Sequence, residues 1–185
     1  VDPTDLEAAA GTYELDTGGS FDVEVADDGL AISANGADAA AVLFQPSGDV
    51  TAGDIAAHED RVLATLAGET QEGREELDIL ESEIGPIDDV ELAGTVFAEG
   101  ELRTYVNVVA GSESITLWYA IDEGGGIAGV DGPTDPPDLR LVPSGDGDFR
   151  PEDPTGSGLE LTVTFEDGRM TVSGPETTTT TAERS

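Results

Sequence analysis

Residues 90–130 read VELAGTVFAEGELRTYVNVVAGSESITLWYAIDEGGGIAGV, and this stretch decides the fold. Apolar and polar residues alternate in three runs, which Glu99-Gly100 and Gly111-Ser112 separate with residues typical of tight turns. Because successive side chains of a strand point to opposite faces, the pattern predicts an antiparallel meander. In the middle run, Thr104 and Val106 fall on one face and Tyr105 on the other. In the third run, Tyr119 falls on one face and Trp118 on the other.

Before the meander the period of the apolar residues changes to that of a helix. Val50–Ala67 places apolar residues at helical spacing, begins near Thr51 and ends at Gly68. Thr70–Ile84 repeats the pattern and ends at Gly85-Pro86. The short link between them predicts a helix hairpin, which we expect to cover one face of the meander.

Short strands are predicted on both sides of this central part. Residues 11–45 read as strands with a turn at Asp28-Gly29, and the last of these strands is predicted over Ala39–Phe44. Residues 144–158 read as a long polar loop, and residues 159–172 as a second hairpin with a turn at Asp167-Gly168. The two hairpins resemble each other, which suggests that they pair in one sheet and bring the chain ends together.

These patterns predict a β-rich α+β fold, with antiparallel sheets and a helix hairpin packed on one face of the meander. We expect a small β module over residues 1–46 and the helix hairpin with the meander over residues 47–174. The second segment either stands alone or forms one continuous domain with the first. Residues 175–185 contain a run of threonines and no core residue, so they are predicted to form a disordered tail.

The net charge of −34 is the most unusual property of the sequence, with 41 acidic residues against seven arginines and no lysine. Self-repulsion at this charge destabilises a compact state in dilute buffer, and molar salt screens it. The composition therefore predicts a halophilic protein that folds in a salt-dependent way and carries hydrated cations on its surface. It argues against nucleic acid as a partner and against membrane insertion. The compartment stays open between the cytoplasm of a salt-accumulating cell and export.

Few residues point to chemistry. The sequence has no cysteine and no serine-nucleophile motif. The single histidine, His58, is predicted on the exposed face of its helix, where Glu59 and Asp60 would favour its charged form. No cofactor is indicated.

Two sites are candidates for binding. A weak calcium candidate is formed by Asp146, Asp148, Glu152 and Asp153. The other is a pocket between the helix pair and the meander, with four candidate lining residues: Trp118, Tyr105, Tyr119 and Arg103. Core packing is the competing explanation for these aromatic residues.

The opening of the chain resembles the module that follows the catalytic domain in serine hydrolases of the β-lactamase and penicillin-binding-protein class. Those modules open with a D-P-x-x-L-x-x-x-x-G-x-Y phrase and end near a Leu-Phe-Pro-like phrase. The matching residues here are Asp2, Pro3, Leu6, Gly11 and Tyr13, followed by Leu43, Phe44 and Pro46. The segment that continues through Gly94 and Thr95 resembles an accessory module of the cystatin or nuclear-transport-factor type.

The resemblance implies a non-catalytic C-terminal accessory region of a haloarchaeal-type hydrolase. Its partner would be a catalytic domain that carries the Ser-x-x-Lys nucleophile, or a like subunit, so this chain would not be an enzyme by itself. Two alternatives remain open. One is a small-molecule or lipid-like ligand binder, and the other is a halophilic cell-surface structural domain with Thr177–Thr181 in a stalk.

Overall fold

Twelve strands and four helices make up the part of the chain that the computed structural model describes, which is residues 3–46, 48–145, 147–152, 160–174 and 179–185. In chain order they are α1 (Pro3–Ala9), β1 (Gly11–Glu14), β2 (Ser20–Ala26), β3 (Gly29–Asn35), α2 (Ala37–Leu43), α3 (Ala52–Leu66), α4 (Gln71–Ile84), β4 (Asp89–Ala98), β5 (Glu101–Ala110), β6 (Glu113–Ile121), β7 (Ile127–Asp131), β8 (Leu139–Gly145), β9 (Asp148–Pro151), β10 (Thr162–Glu166), β11 (Arg169–Ser173) and β12 (Thr179–Arg184). The predicted β-rich fold with antiparallel sheets and helices is confirmed.

Eight of the strands form a closed antiparallel barrel, which the sequence analysis did not predict. Each strand of the barrel pairs with the next one along the chain, except that β3 pairs with β8 across the intervening segment and β12 pairs with β1 to close the circle. Closure leaves no free sheet edge in this part of the chain. The two similar hairpins, β2–β3 and β10–β11, lie in the same barrel without pairing directly, and the chain ends meet at β1 and β12.

Inward-facing side chains fill the barrel. Period-two alternation on each strand supplies them, because every second residue points to the interior. Two short helices add apolar residues to the same core. The largest fully buried members are Tyr13, Phe21, Leu30, Ile32, Leu43, Leu141, Met170 and Val163.

The barrel makes the division of the chain discontinuous. One compact unit consists of Val1–Gly48 together with Pro137–Ser185, and the other is Asp49–Pro136. This differs from the predicted linear division, which kept residues 47–174 together. The physical reason is that β1 and β3 each need a second neighbouring strand. Strand β12 pairs with β1, and strand β8 pairs with β3. Along the chain, the helix hairpin and the meander are thus inserted between the two segments that form the barrel.

Two local predictions are wrong. Residues 39–43 belong to helix α2, which follows Gly36 and buries Ala39, Ala40 and Leu43. The alanine run has high helix propensity, which outweighs its short apolar alternation. The predicted polar loop over 144–158 also contains strand β9, whose Phe149 is buried.

The prediction of a disordered tail is wrong for residues 179–185. Thr179–Arg184 form β12, which pairs with β11 and β1 and buries Ala182. Threonine is β-branched and suits a strand, so its repetition here reflects sheet propensity. A stalk that includes Thr179–Thr181 is therefore excluded, whereas Thr177 and Thr178 lie outside the described residues.

The inserted unit combines α3 and α4 with a four-stranded antiparallel sheet in the order β4-β5-β6-β7. Both predicted helices are confirmed, and Thr51 caps α3 in a reciprocal capping box with Asp54. Thr70 caps α4 through the backbone N–H of Gly73 at 2.9 Å. The core between helices and sheet contains Val62, Leu66, Leu80, Val106, Val108, Leu117, Tyr119 and Ile121.

Gly73 lies at a close contact between α4 and α3. A methyl group on Gly73 would lie 2.1 Å from the carbonyl oxygen of Thr65, which is a backbone atom and cannot move aside easily. Helix propensity alone would make Gly73→Ala stabilising by about 1 kcal/mol. We expect the opposite result, a loss of about 2 kcal/mol of unfolding free energy, because overpacking separates the helices. Denaturant unfolding in molar KCl measures this loss.

Ser82→Ala is the matched control for Gly73→Ala, because Ser82 is exposed on the same helix. Its effect is expected to stay within about 0.5 kcal/mol. A stabilising Gly73→Ala substitution would contradict the close contact between α3 and α4.

Candidate ligand-binding site

Helix α1 is fixed across one end of the barrel. Leu6 and Ala9 are buried in the barrel core, and the hydroxyl of Tyr13 donates a hydrogen bond to the carbonyl oxygen of Ala9 at 2.8 Å. Tyr13 itself is only 1% exposed, and burial raises the pKa of its phenol. The tyrosine therefore acts as a neutral donor that holds the C-terminal turn of the helix.

The last strand of the barrel provides a second anchor for α1. The guanidinium of Arg184 donates to the carbonyl oxygen of Ala8 at 3.2 Å and also to that of Ala10. These carbonyls lie at the C-terminal end of a helix, where a positive charge is favourable. Gly11 makes room for this contact: its φ is 150°, and a methyl group there would lie 2.8 Å from Nε of Arg184.

A cavity of about 510 Å³ lies beside α1 at this end of the barrel. Helix α1, strand β1, the start of β9 and the β10–β11 hairpin surround it. Three aromatic rings and two alanines form the apolar part of its wall, and charged residues of α1 and the hairpin form its rim. The lining residues are Asp5, Ala8, Ala9, Tyr13, Gly147, Phe149, Phe165, Glu166, Asp167, Gly168 and Arg169.

The aromatic rings form one cluster centred on Phe165. Its ring centroid lies 5.5 Å from that of Tyr13 and 5.6 Å from that of Phe149, and the contact with Phe149 is edge-to-face. These are favourable geometries for aromatic pairs. Phe165 is partly exposed while the other two are buried, so its ring is the more accessible to a ligand.

The charges on the rim are unequal. Asp5, Glu166 and Asp167 are exposed carboxylates, and none of them takes part in the ion pairs found among the described residues. Arg169 is the cation on the rim, and its guanidinium lies 3.2 Å from the carboxylate of Glu183. The rim thus carries an excess of negative charge next to aromatic surface.

A second cavity of about 480 Å³ adjoins the first and shares Asp167, Gly168 and Arg169 with it. Glu183 and Arg184 complete its lining. It has no aromatic wall, and its two acids and two arginines balance. The first cavity, which joins an aromatic wall to a charged rim, is therefore the candidate binding site.

The four aromatic and charged residues that the sequence analysis assigned to a pocket lie on two faces of the meander. Arg103, Tyr105 and Trp118 share one face: Tyr105 pairs with Trp118, and the guanidinium carbon of Arg103 lies 4.4 Å from the Trp118 ring centroid. Tyr119 lies on the opposite face, in the core with the helices, and donates a hydrogen bond to Glu76 at 2.7 Å. The sheet therefore separates Tyr119 from the other three residues.

The prediction for His58 is wrong, because its side chain is buried with an exposed fraction of 2%. Nδ1 lies 2.7 Å from Oγ1 of Thr104, and Nε2 accepts a hydrogen bond from the backbone N–H of Ile121 at 3.0 Å. Oγ1 of Thr104 lies 2.9 Å from Oγ1 of Thr95, which donates to Glu59 at 2.7 Å. A continuous hydrogen-bonded chain therefore links α3 to three strands of the meander.

The donor and acceptor of each hydrogen bond in this series follow from the groups at its two ends, the backbone N–H of Ile121 and the carboxylate of Glu59. Nε2 accepts from a backbone N–H, so the proton of the neutral ring is on Nδ1 and is donated to Thr104. Thr104 donates to Thr95, and Thr95 donates to the carboxylate of Glu59. Burial, reinforced by Arg61 and opposed by Glu101, lowers the pKa of His58 from 6.5 to about 4. The imidazole is thus neutral near pH 7, and its two hydrogen bonds attach α3 to the sheet.

Only two of the four residues of the calcium candidate lie in the described part of the chain. Asp146 and Asp153 lie outside the described residues. Among the other two, Glu152 pairs with Nε of Arg140 at 3.1 Å, so its carboxylate already has a cationic partner. Within the described ranges, no group of three or more acidic residues or histidines is placed to hold a metal ion.

Sequence reasoning missed the site at the barrel end. Alternation placed Tyr13 and Phe165 on the apolar faces of their strands, but Phe149 lay in a segment interpreted as loop. Strands β9 and β10 are neighbours, but β11 and β12 separate β10 from β1, so Tyr13 meets the other two rings only because the barrel is closed. Barrel closure is a long-range property that no local pattern encodes.

Comparison with protein-family models, with curated proteins and with solved structures found no match in any of the three. Among the described helices, none has the length and apolar character needed to cross a membrane.

Proposed function

We propose that this chain is a non-catalytic module that binds a small molecule in the cavity beside α1. The observation that carries the proposal is the cavity itself. Its volume of about 510 Å³ falls within the range of about 300–1,000 Å³ that is usual for small-molecule sites. It joins three aromatic rings to four charged residues, so one wall offers apolar contact and the rim offers electrostatic contact.

The architecture explains why the ligand would bind at the end of the barrel. An eight-stranded barrel has an interior just wide enough to be filled by side chains or to hold one small ligand. Here Phe21, Ile32, Val163 and Met170 are fully buried, so the middle of the barrel is occupied. The cavity lies at the end of these strands, between α1 and the β10–β11 hairpin.

A cavity-filling substitution tests the proposal. Ala8 is an exposed residue of α1 that lines the cavity, and Ala8→Trp would occupy the space without changing a charge. Ala41→Trp is the matched control, because Ala41 is exposed on α2 and is not among the lining residues. Suitable probes are benzylammonium, benzyl alcohol and benzoate, which are similar in size and differ in charge.

We expect at least one of these probes to bind to the wild type and to Ala41→Trp. It should bind at least about tenfold more weakly to Ala8→Trp, because the indole occupies its volume. Chemical-shift titration in molar KCl measures both affinities. Absence of binding by all three probes, or unchanged binding to Ala8→Trp, would contradict the proposal.

A second proposal, the accessory region of a serine hydrolase, has support from the roles of the residues that carry the resemblance. Leu6 and Tyr13 hold α1 to the barrel, and Gly11 provides the space for Arg184. Three residues of the phrase thus have a structural role in attaching a short helix to the barrel. The complete reading frame tests this proposal: it predicts a Ser-x-x-Lys domain upstream, and a reading frame without one contradicts it.

A further inference from the structure

We propose that the cavity beside α1 selects small organic cations, in particular ammonium ions that carry an apolar or aromatic body. This inference rests on the proposed binding function and adds the charge and chemical class of the ligand. Two features of the cavity support it independently. One is the negative excess of its rim, and the other is the partly exposed ring of Phe165 in its wall.

The rim provides charge complementarity over a short distance. Asp5 approaches from α1, and Glu166 and Asp167 approach from the β10–β11 hairpin, so carboxylates lie on two sides of the opening. Arg169 opposes them, but its guanidinium is paired with Glu183 at 3.2 Å. Arg184 also lies nearby, and its guanidinium is bound to carbonyl oxygens of the α1 segment. A cationic ligand would meet unbalanced carboxylates, whereas an anionic ligand would meet repulsion.

The aromatic wall distinguishes an organic ammonium from a metal cation. The face of an aromatic ring attracts a cation, and the attraction is stronger when the cation has already lost its water. An alkylammonium ion holds water tightly only at its ammonium group and carries apolar surface, so it can bury that surface against Phe165 and the alanines of α1. A hydrated alkali cation gains nothing from the rings and would have to lose its water shell to reach them.

Molar salt makes the selectivity a property of the cavity alone. At about 1 M salt the Debye length is about 3 Å, so the net charge of −34 has little influence beyond direct contacts. A preference for the cation in molar KCl would then report on the rim carboxylates and the rings. The same preference measured at low salt would also include the field of the whole surface.

The test compares benzylammonium, benzyl alcohol and benzoate in molar KCl by chemical-shift titration. We expect benzylammonium to bind about tenfold more tightly than benzyl alcohol, and benzoate to bind most weakly. Glu166→Gln should reduce the preference for benzylammonium over benzyl alcohol about threefold while leaving benzyl alcohol unchanged. Phe165→Leu keeps the apolar character of the wall but removes the ring, and should also reduce this preference.

Glu24→Gln is the matched control, because Glu24 is an exposed carboxylate of β2 outside the cavity. It should leave all three affinities unchanged. Equal binding of the three probes, with loss of all binding in Ala8→Trp, would overturn cation selection and leave the binding function intact. Equal effects of Glu24→Gln and Glu166→Gln would also overturn it, since the preference would then come from total charge. Absence of binding by every probe would overturn both proposals.

Discussion

Transfer from molar KCl to about 10 mM KCl is expected to unfold this protein. The change lengthens the Debye length from about 3 Å to about 30 Å, so carboxylates across the whole surface begin to repel each other. The 41 acidic residues face only seven arginines. Among the described residues, Arg103 and Arg140 each pair with two carboxylates and Arg169 with one, which leaves most acids unpaired. The expected loss is on the order of 5 kcal/mol, comparable with the stability of an ordinary domain.

The measurement is far-UV circular dichroism and thermal unfolding as a function of KCl concentration. Sucrose is the control, since it strengthens burial by exclusion from the protein surface but does not screen charge. We expect sucrose at equal osmolality to restore little of the folded signal. Recovery with sucrose as complete as with KCl would show that charge screening is not the cause. A folded signal that does not change with KCl would contradict the proposal of a halophilic protein.

Helix α4 allows the same idea to be tested locally. Glu75, Asp78 and Glu81 are exposed and spaced three residues apart, so their carboxylates lie close together along one side of the helix. Asp78→Asn with Glu81→Gln should lower the KCl concentration needed for folding. The matched control is Asp78→Glu with Glu81→Asp, which alters the side chains but keeps both charges. An equal shift in both variants would exclude charge repulsion on α4 as the cause.

Features that depend on residues close together in the sequence were predicted correctly, whereas features that depend on contacts between distant residues were not. Both helices of the inserted unit were predictable because Thr51, Thr70 and Gly85 mark their ends locally, and the two faces of the meander followed from period-two alternation. The closed barrel was not predictable, because the pairing of β3 with β8 joins residues that lie on opposite sides of an inserted unit. Threonine repeats were interpreted as a tail because no local signal shows that β12 lies between β1 and β11.

His58 illustrates the same limit at the level of one side chain. Its sequence neighbours are acidic, and they predict a charged, exposed histidine. Its spatial neighbours are Thr104 and the backbone of Ile121, which lie 46 and 63 residues away along the chain. These contacts decide its protonation state, and they exist only once the sheet has formed under α3.

Replacement of His58 is expected to destabilise the inserted unit strongly. His58→Ala would leave the N–H of Ile121 without its buried acceptor and would open a cavity, while the hydroxyl of Thr104 would keep its bond to Thr95. The unsatisfied N–H costs about 1–3 kcal/mol, and with the cavity we expect a loss of about 3 kcal/mol in molar KCl. His58→Gln keeps an amide that can accept from the Ile121 N–H and has no titratable group, so a smaller loss is expected. Denaturant unfolding measures both.

Acid should lower the folding stability of the wild-type protein, because it protonates His58. The unfolded chain binds a proton on His58 below pH 6.5, whereas the folded chain resists protonation until its pKa of about 4. The folded pKa is lowered, so the contribution of the neutral ring is complete above pH 6.5 and is lost as the pH falls towards 4. The shift corresponds to at most about 3 kcal/mol. Carboxylates also titrate near the lower end of this range, so the informative quantity is the difference between wild type and His58→Gln.

The stability advantage of the wild type over His58→Gln is expected to shrink between pH 7 and pH 5, because only the wild type has a histidine to protonate. Arg61 opposes protonation and Glu101 favours it, so substitutions at these positions should move the pKa of His58 in opposite directions. Since His58 is the single histidine, its imidazole resonance can be followed without ambiguity in a pH titration. A midpoint near 6.5 in the folded protein, or a stability difference that is constant with pH, would contradict a neutral buried imidazole and with it the hydrogen-bonded chain that joins α3 to the sheet.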